Sequence, residues 1–94
     1  FLHAHALGRA ITTEVVRDGE VVDSMVDDPF DFNAQRFIET DVTVQPGDAL
    51  RTTCTYDSTG VEGNTPGGVA SDEEMCINFM MYYPKVNGEK CGAL

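Results

Sequence analysis

The amino-acid sequence predicts an all-β chain folded as an antiparallel β-sandwich, and three observations carry that expectation. From Leu2 to Arg17 the odd positions hold His3, His5, Leu7, Ile11 and Val15 while the even ones carry small and polar residues such as Ala4, Gly8, Thr12 and Glu14, a period of two. Asp18-Gly19 and Gln45-Pro46-Gly47-Asp48, the residues that tight turns demand, stand between β-rich runs. A third such run, Ile77 to Tyr83, closes the pattern. With 94 residues and 41% hydrophobic content, the expectation is one small folded domain spanning residues 1–94.

In chain order, the strand pattern runs to Arg17, with a break near Gly8, where a bulge or close backbone approach is cheap. Asp18-Gly19 suits a type I′ hairpin, and Glu20-Val21-Val22 resumes the β pattern. Asp27 to Asn33 reads as a loop, with Phe30 and Phe32 tucked onto the body. Asp27, Asp28 and Asp31 could ligate calcium, but their spacing does not follow the EF-hand order, and they read as solvated acids. Phe37, Ile38, Val42 and Val44 predict a strand over 36–44, followed by a type II turn and a second hairpin. On the next strand Leu50, Thr52, Cys54 and Tyr56 share the inward face. Asp57 to Asp72 is a long loop rich in Gly, Ser, Thr, Asn and Pro. Ser71 and Glu74 fit a capping box, but the run that follows favours a strand over Met75 to Tyr83. Residues 84–94 read as a tail held mainly by Cys91.

The formal net charge of -10 opposes binding to nucleic acid or to an anionic membrane surface. No apolar run approaches the length of a membrane span, and no signal-like segment opens the chain. The chain starts at Phe1, with no initiator Met, directly on a candidate ligand strand, and reads as part of a longer polypeptide. Its three cysteines match no zinc ribbon or C-x-x-C pattern. An odd number fits an oxidising compartment with one partner elsewhere. Cys54 with Cys76 ranks first as the bridge, leaving Cys91 over, and closing that loop is worth about 3 kcal/mol by chain entropy.

His3 and His5 are the candidate metal ligands. At i and i+2 of an extended chain they share a face, about 7 Å apart along the backbone, and can lean onto one ion. Such a pair needs a third ligand to mean more than two strand residues.

His3-Ala4-His5-Ala6-Leu7-Gly8-Arg9, Pro46-Gly47-Asp48, Thr53-Cys54-Thr55-Tyr56, Gly67-Gly68, Glu73-Glu74-Met75-Cys76-Ile77-Asn78 and Tyr82-Tyr83-Pro84 stand in an order that resembles one family. It is the carboxy-terminal domain of the copper type II, ascorbate-dependent monooxygenases, the family of dopamine β-hydroxylase and peptidylglycine α-hydroxylating monooxygenase. The resemblance runs from His3 to Cys91. It implies a jelly-roll-like β-sandwich, here lacking its amino-terminal strands, and one copper held by His3, His5 and Met75. That copper would bind dioxygen and act on a substrate C–H bond, with ascorbate as reductant. A second copper, on three histidines, would lie in a preceding domain of the same polypeptide; with two histidines in all, this chain cannot supply it. The resemblance also implies the Cys54–Cys76 bridge, a partner for Cys91 outside the chain, and a secreted, lumenal or periplasmic location. The 94-residue chain alone would then be inactive. A thioether beside two imidazoles independently favours Cu(I).

Two departures bear on substrate. Peptide-hydroxylating relatives place an Arg two positions before the first histidine and a Tyr at position 79, where this chain has Phe1 and Phe79. The anchors for a peptide carboxylate are therefore missing, and the small-molecule substrate stays open. Two other readings compete: a non-catalytic sandwich that kept the fold, and a zinc module using His3, His5 and Glu73 or Glu74, in which Met75 is dispensable.

Overall fold

A computed structural model describes residues 1–84. Among these residues five strands lie in two antiparallel sheets: β1 (Leu2–Ala4), β2 (Gly8–Arg17), β3 (Glu20–Asp27), β4 (Ala49–Tyr56) and β5 (Cys76–Asn78). One sheet is β3-β2-β4 and the other β1-β5. The expected all-β architecture is present, and the two sheets pack as the layers of a small sandwich. Cys91 and the expected tail from 85 onward lie outside the described residues.

The core sits between the layers. Leu2 and Ala4 of β1 pack with Ile11 of β2 and Phe30, and Phe32, Cys54 and Tyr56 close over them. Full burial of a side chain such as Ile11, which is 0% exposed, contributes about 1.5–3 kcal/mol. A polar strut crosses the same space. Asn78 on β5 donates to the Thr13 hydroxyl on β2 at 3.0 Å, and Thr13 in turn meets the Thr52 hydroxyl on β4 at 2.8 Å. Every buried polar atom in this strut is paired, so the core keeps it without a desolvation penalty.

Turn chemistry behaves as the residue types require. Asp18 (φ 52) and Gly19 (φ 80) join β2 to β3 in the left-handed geometry of a type I′ hairpin. Gly47 has φ 90, and the Asp48 N–H donates to the Gln45 carbonyl at 3.0 Å, closing the 45–48 turn. The Asp48 carboxylate then accepts two bonds of 2.8 Å from Arg17, tying that turn to the end of β2.

Three expectations need correction. The first is the single alternation of odd positions from Leu2 to Arg17: the break expected near Gly8 is present, β1 stops at Ala4, the Gly8 N–H donates to the His5 carbonyl at 2.9 Å, and the chain turns there. This turn resets the phase, so even positions are buried in β1 and odd ones in β2. Gly8 itself is where the two segments touch, since a Cβ there would lie 2.8 Å from the Ala4 Cβ and 3.2 Å from the Phe30 ring. The close approach expected at Gly8 is thus present, with a register shift between Gly8 and Ala10.

Residues 36–44 form no strand, and the second expected hairpin is absent. β4 pairs instead with β2, from Gly8–Tyr56 to Val16–Ala49, which leaves 36–44 without a ladder partner. Without a ladder, β-branched composition does not make a strand. Phe37, at 60% exposure, and Val44 stand out into solvent.

The strand expected over Met75 to Tyr83 shrinks to Cys76–Asn78, because β1 offers only Leu2, His3 and Ala4 for pairing. Ahead of it, Ser71 and Asp72 form a turn and no helix starts, as the strand reading required.

Candidate metal centre

The site gathers where β1 ends, β5 begins and the long loop returns. The register Leu2–Asn78, His3–Ile77, Ala4–Cys76, carried one residue further, sets Met75 opposite His5. The Cys54–Cys76 bridge, with a Cα separation of 5.8 Å, fastens this start of β5 to β4 in the other layer. That pairing is the one ranked first from the sequence.

The imidazoles of His3 and His5 have ring centroids 5.1 Å apart at 83°. His5 is buried and His3 half-buried. Both use Nδ1 as a donor. The His5 Nδ1–H donates to the Glu73 carbonyl at 3.0 Å, an acceptor that admits no other polarity. The His3 Nδ1 meets the Gln35 Oε1 at 2.6 Å, and the orientation of that amide is fixed because its Nε2 donates to the Phe32 carbonyl at 2.9 Å. In the neutral tautomer with this polarity the lone pair of each ring is on Nε2. Among the described residues neither Nε2 has a hydrogen-bond partner. An N–H pinned to a carbonyl oxygen with the opposite nitrogen free is the usual arrangement of a metal-ligating histidine.

Met75 is half-buried, and its carbonyl accepts a 2.9 Å hydrogen bond from the Tyr56 hydroxyl. Burial, and then the nearby Glu74 charge, push the Tyr56 hydroxyl above its ordinary pKa, so it is a donor at neutral pH. Two imidazoles and a thioether on adjoining segments form a donor set suited to Cu(I). The zinc alternative is not assembled: among the described residues no three His, Cys, Asp or Glu side chains lie together. Glu73 has turned away, its carboxylate accepting from the Ala70 N–H at 3.0 Å and filling the space where a Cβ on Gly68 would stand. The same absence applies to Asp27, Asp28 and Asp31.

Phe1 and Phe79 flank His3, with ring centroids 6.2 and 6.1 Å from it, and Phe37 packs on Phe1 at 5.1 Å. Position 79, where the sequence lacks a polar anchor, is therefore beside the candidate ligand. Phe32 meets His5 edge-on at 6.4 Å. Gln35 and the Glu73 carbonyl were not legible as site residues: one is a lone amide in a loop, the other is backbone. Tyr56 carried a signal, since it shares a strand face with Cys54 and the bridge to Cys76 brings that face to Met75.

Comparison with known proteins decides the family. The family described as copper type II ascorbate-dependent monooxygenase, C-terminal domain, matches residues 1–93. The chain belongs to this family. It is 41% identical to DBH-like monooxygenase protein 1 of Gallus gallus, over 99% of this chain and 16% of that protein. To dopamine beta-hydroxylase of Canis lupus familiaris it is 40% identical, over 96% of this chain and 15% of that protein. Human dopamine beta-hydroxylase is 41% identical over the same shares, 96% and 15%. The chain thus spans about one sixth of the length of the curated relatives it matches. No solved structure gives a significant match. Among the described residues no helix is long and apolar enough to cross a membrane.

Proposed function

We propose that this chain forms the copper-holding part of the carboxy-terminal domain of a monooxygenase that hydroxylates a substrate C–H bond with dioxygen. Nε2 of His3, Nε2 of His5 and the Met75 thioether would hold one copper ion. The observation that carries this reading is the shared arrangement of the two imidazoles, each with Nδ1 spent on a carbonyl oxygen and Nε2 without a hydrogen-bond partner among the described residues.

Bound copper would supply one-electron chemistry toward dioxygen, with ascorbate as the source of electrons. The remaining work belongs to the protein. Gln35 and the Glu73 carbonyl hold the proton of each imidazole on Nδ1, which leaves Nε2 as the nitrogen to bind a metal and fixes the tilt of the rings. The Cys54–Cys76 bridge holds the residue after Met75 against β4. The Phe1, Phe37 and Phe79 rings give the approach to His3 an apolar wall, which favours an uncharged portion of substrate there.

A second copper site, on histidines outside this chain, would belong to a preceding domain of the longer protein, because both histidines here are already used. The bridge and the family together support a secreted or lumenal compartment. The test is a turnover experiment on the full-length, copper-loaded protein, reduced with ascorbate under isotopic dioxygen and offered probes with benzylic or unactivated C–H bonds. The expected result is hydroxylated product carrying one labelled oxygen, lost in His3→Ala; product labelled from water instead would contradict the reading.

A further inference from the structure

Tyr56 ends β4 on the same inward face as Cys54, and those two side chains hold consecutive residues of the facing segment. Cys54 is bonded to Cys76, and the Tyr56 hydroxyl donates to the Met75 carbonyl at 2.9 Å. We infer that Tyr56 is a positioning residue that sets where the Met75 thioether is presented to copper. This rests on the ligand set proposed above.

The need for a second attachment follows from where β5 begins. The ladder with β1 starts at the Ala4–Cys76 pair, so Met75 lies one residue beyond regular pairing. On its other side Glu74 is tied to the long loop, its N–H donating to the Pro66 carbonyl at 2.9 Å and its carbonyl accepting from the Gly68 N–H at 3.1 Å. Met75 is the link between these two anchored stretches. A methionine side chain has three rotatable bonds and adapts readily, so the backbone placement decides which positions its sulfur can reach. The Tyr56 hydroxyl fixes one end of the Met75–Cys76 peptide, and the disulfide fixes the residue at its other end. The Tyr56 ring contributes separately by packing against the core. Phenylalanine at this position would keep the packing and remove only the hydroxyl.

The test uses the full-length protein loaded with Cu(I), comparing wild type with Tyr56→Phe. Two quantities are read: Cu(I) affinity by competition with a chromogenic chelator, and the sulfur contribution to the copper X-ray absorption. Expected in Y56F are a loss of about tenfold in affinity, the lower end of what outer partners of metal ligands cost, and a weakened sulfur signal with unchanged imidazole scattering. Replacement of Tyr56 by p-aminophenylalanine, which restores a donor at the same point, should recover both. Asp48→Asn, which loosens the fold away from the site, should leave both as in wild type. Wild-type affinity and full sulfur signal in Y56F would overturn the inference, as would an equal loss in D48N. Absence of a sulfur signal in wild type would instead overturn the ligand assignment of Met75, and the role of Tyr56 with it.

Discussion

His3 Nδ1 lies 2.6 Å from Gln35 Oε1, a contact between residues 32 apart in sequence that reaches from β1 into the loop after the Phe32–Ala34 turn. The amide cannot flip without losing its own bond to the Phe32 carbonyl, so it presents an acceptor and nothing else. Replacing Gln35 by Leu removes that acceptor and frees the ring to rotate or change tautomer. Copper affinity is expected to fall by about 10–100-fold, the range for such outer partners, while the folded state is retained. Chelator competition on Gln35→Leu, with circular dichroism as the check on folding, measures this; unchanged affinity would remove Gln35 from the site.

The Cys54–Cys76 bridge closes a separation of 22 residues, between them the whole long loop. Chain entropy for a loop of that length gives about 3 kcal/mol. A Cys54→Ala, Cys76→Ala double variant is expected to lose about that much in urea unfolding and to bind Cu(I) more weakly, because Met75 adjoins the bridge. Removing both cysteines avoids leaving a reactive thiol beside the site.

Asp48 gives the pH dependence. The hydrogen bond from Arg17 and then that from the Gln45 N–H hold its carboxyl at about 2, below the usual carboxylate range. A depressed folded-state pKa stabilises the fold fully above the unfolded value, about 4, and the contribution is lost as pH falls toward 2. Wild type should therefore be more stable than Asp48→Asn near neutrality, with the difference shrinking between about pH 4 and pH 2. Thermal unfolding of both proteins across that range measures it; a constant difference would mean that the ion pair is not its source.

Local chemistry made part of this protein readable from the sequence. Asp18-Gly19 and Gly47 announce their turns because few other residues adopt those backbone angles, and Gly8 marks a contact that a Cβ would obstruct. The inward set on β4 was legible because one residue in two is all that a half-buried strand needs to declare. Pairing was not legible. Phe37, Ile38 and Val44 look like strand residues, yet which strand takes the free edge of β2 is a long-range choice, and β4 takes it. The phase change between Ala4 and Gly8 was hidden for a similar reason, since His3, His5 and Leu7 continue the alternation through a turn made by a backbone hydrogen bond. The ligands could be named by family likeness, whereas their supports, Gln35 and the Glu73 carbonyl, exist only once the loops are in place.

The account stands on His3, His5 and Met75 holding one copper ion. X-ray absorption of the Cu(I)-loaded full-length protein, wild type against Met75→Ile, tests this most directly. The expected result is a sulfur neighbour at copper in wild type that disappears in M75I, with a fall in Cu(I) affinity. A wild-type spectrum without sulfur, or an M75I protein that binds Cu(I) as tightly as wild type, would contradict it.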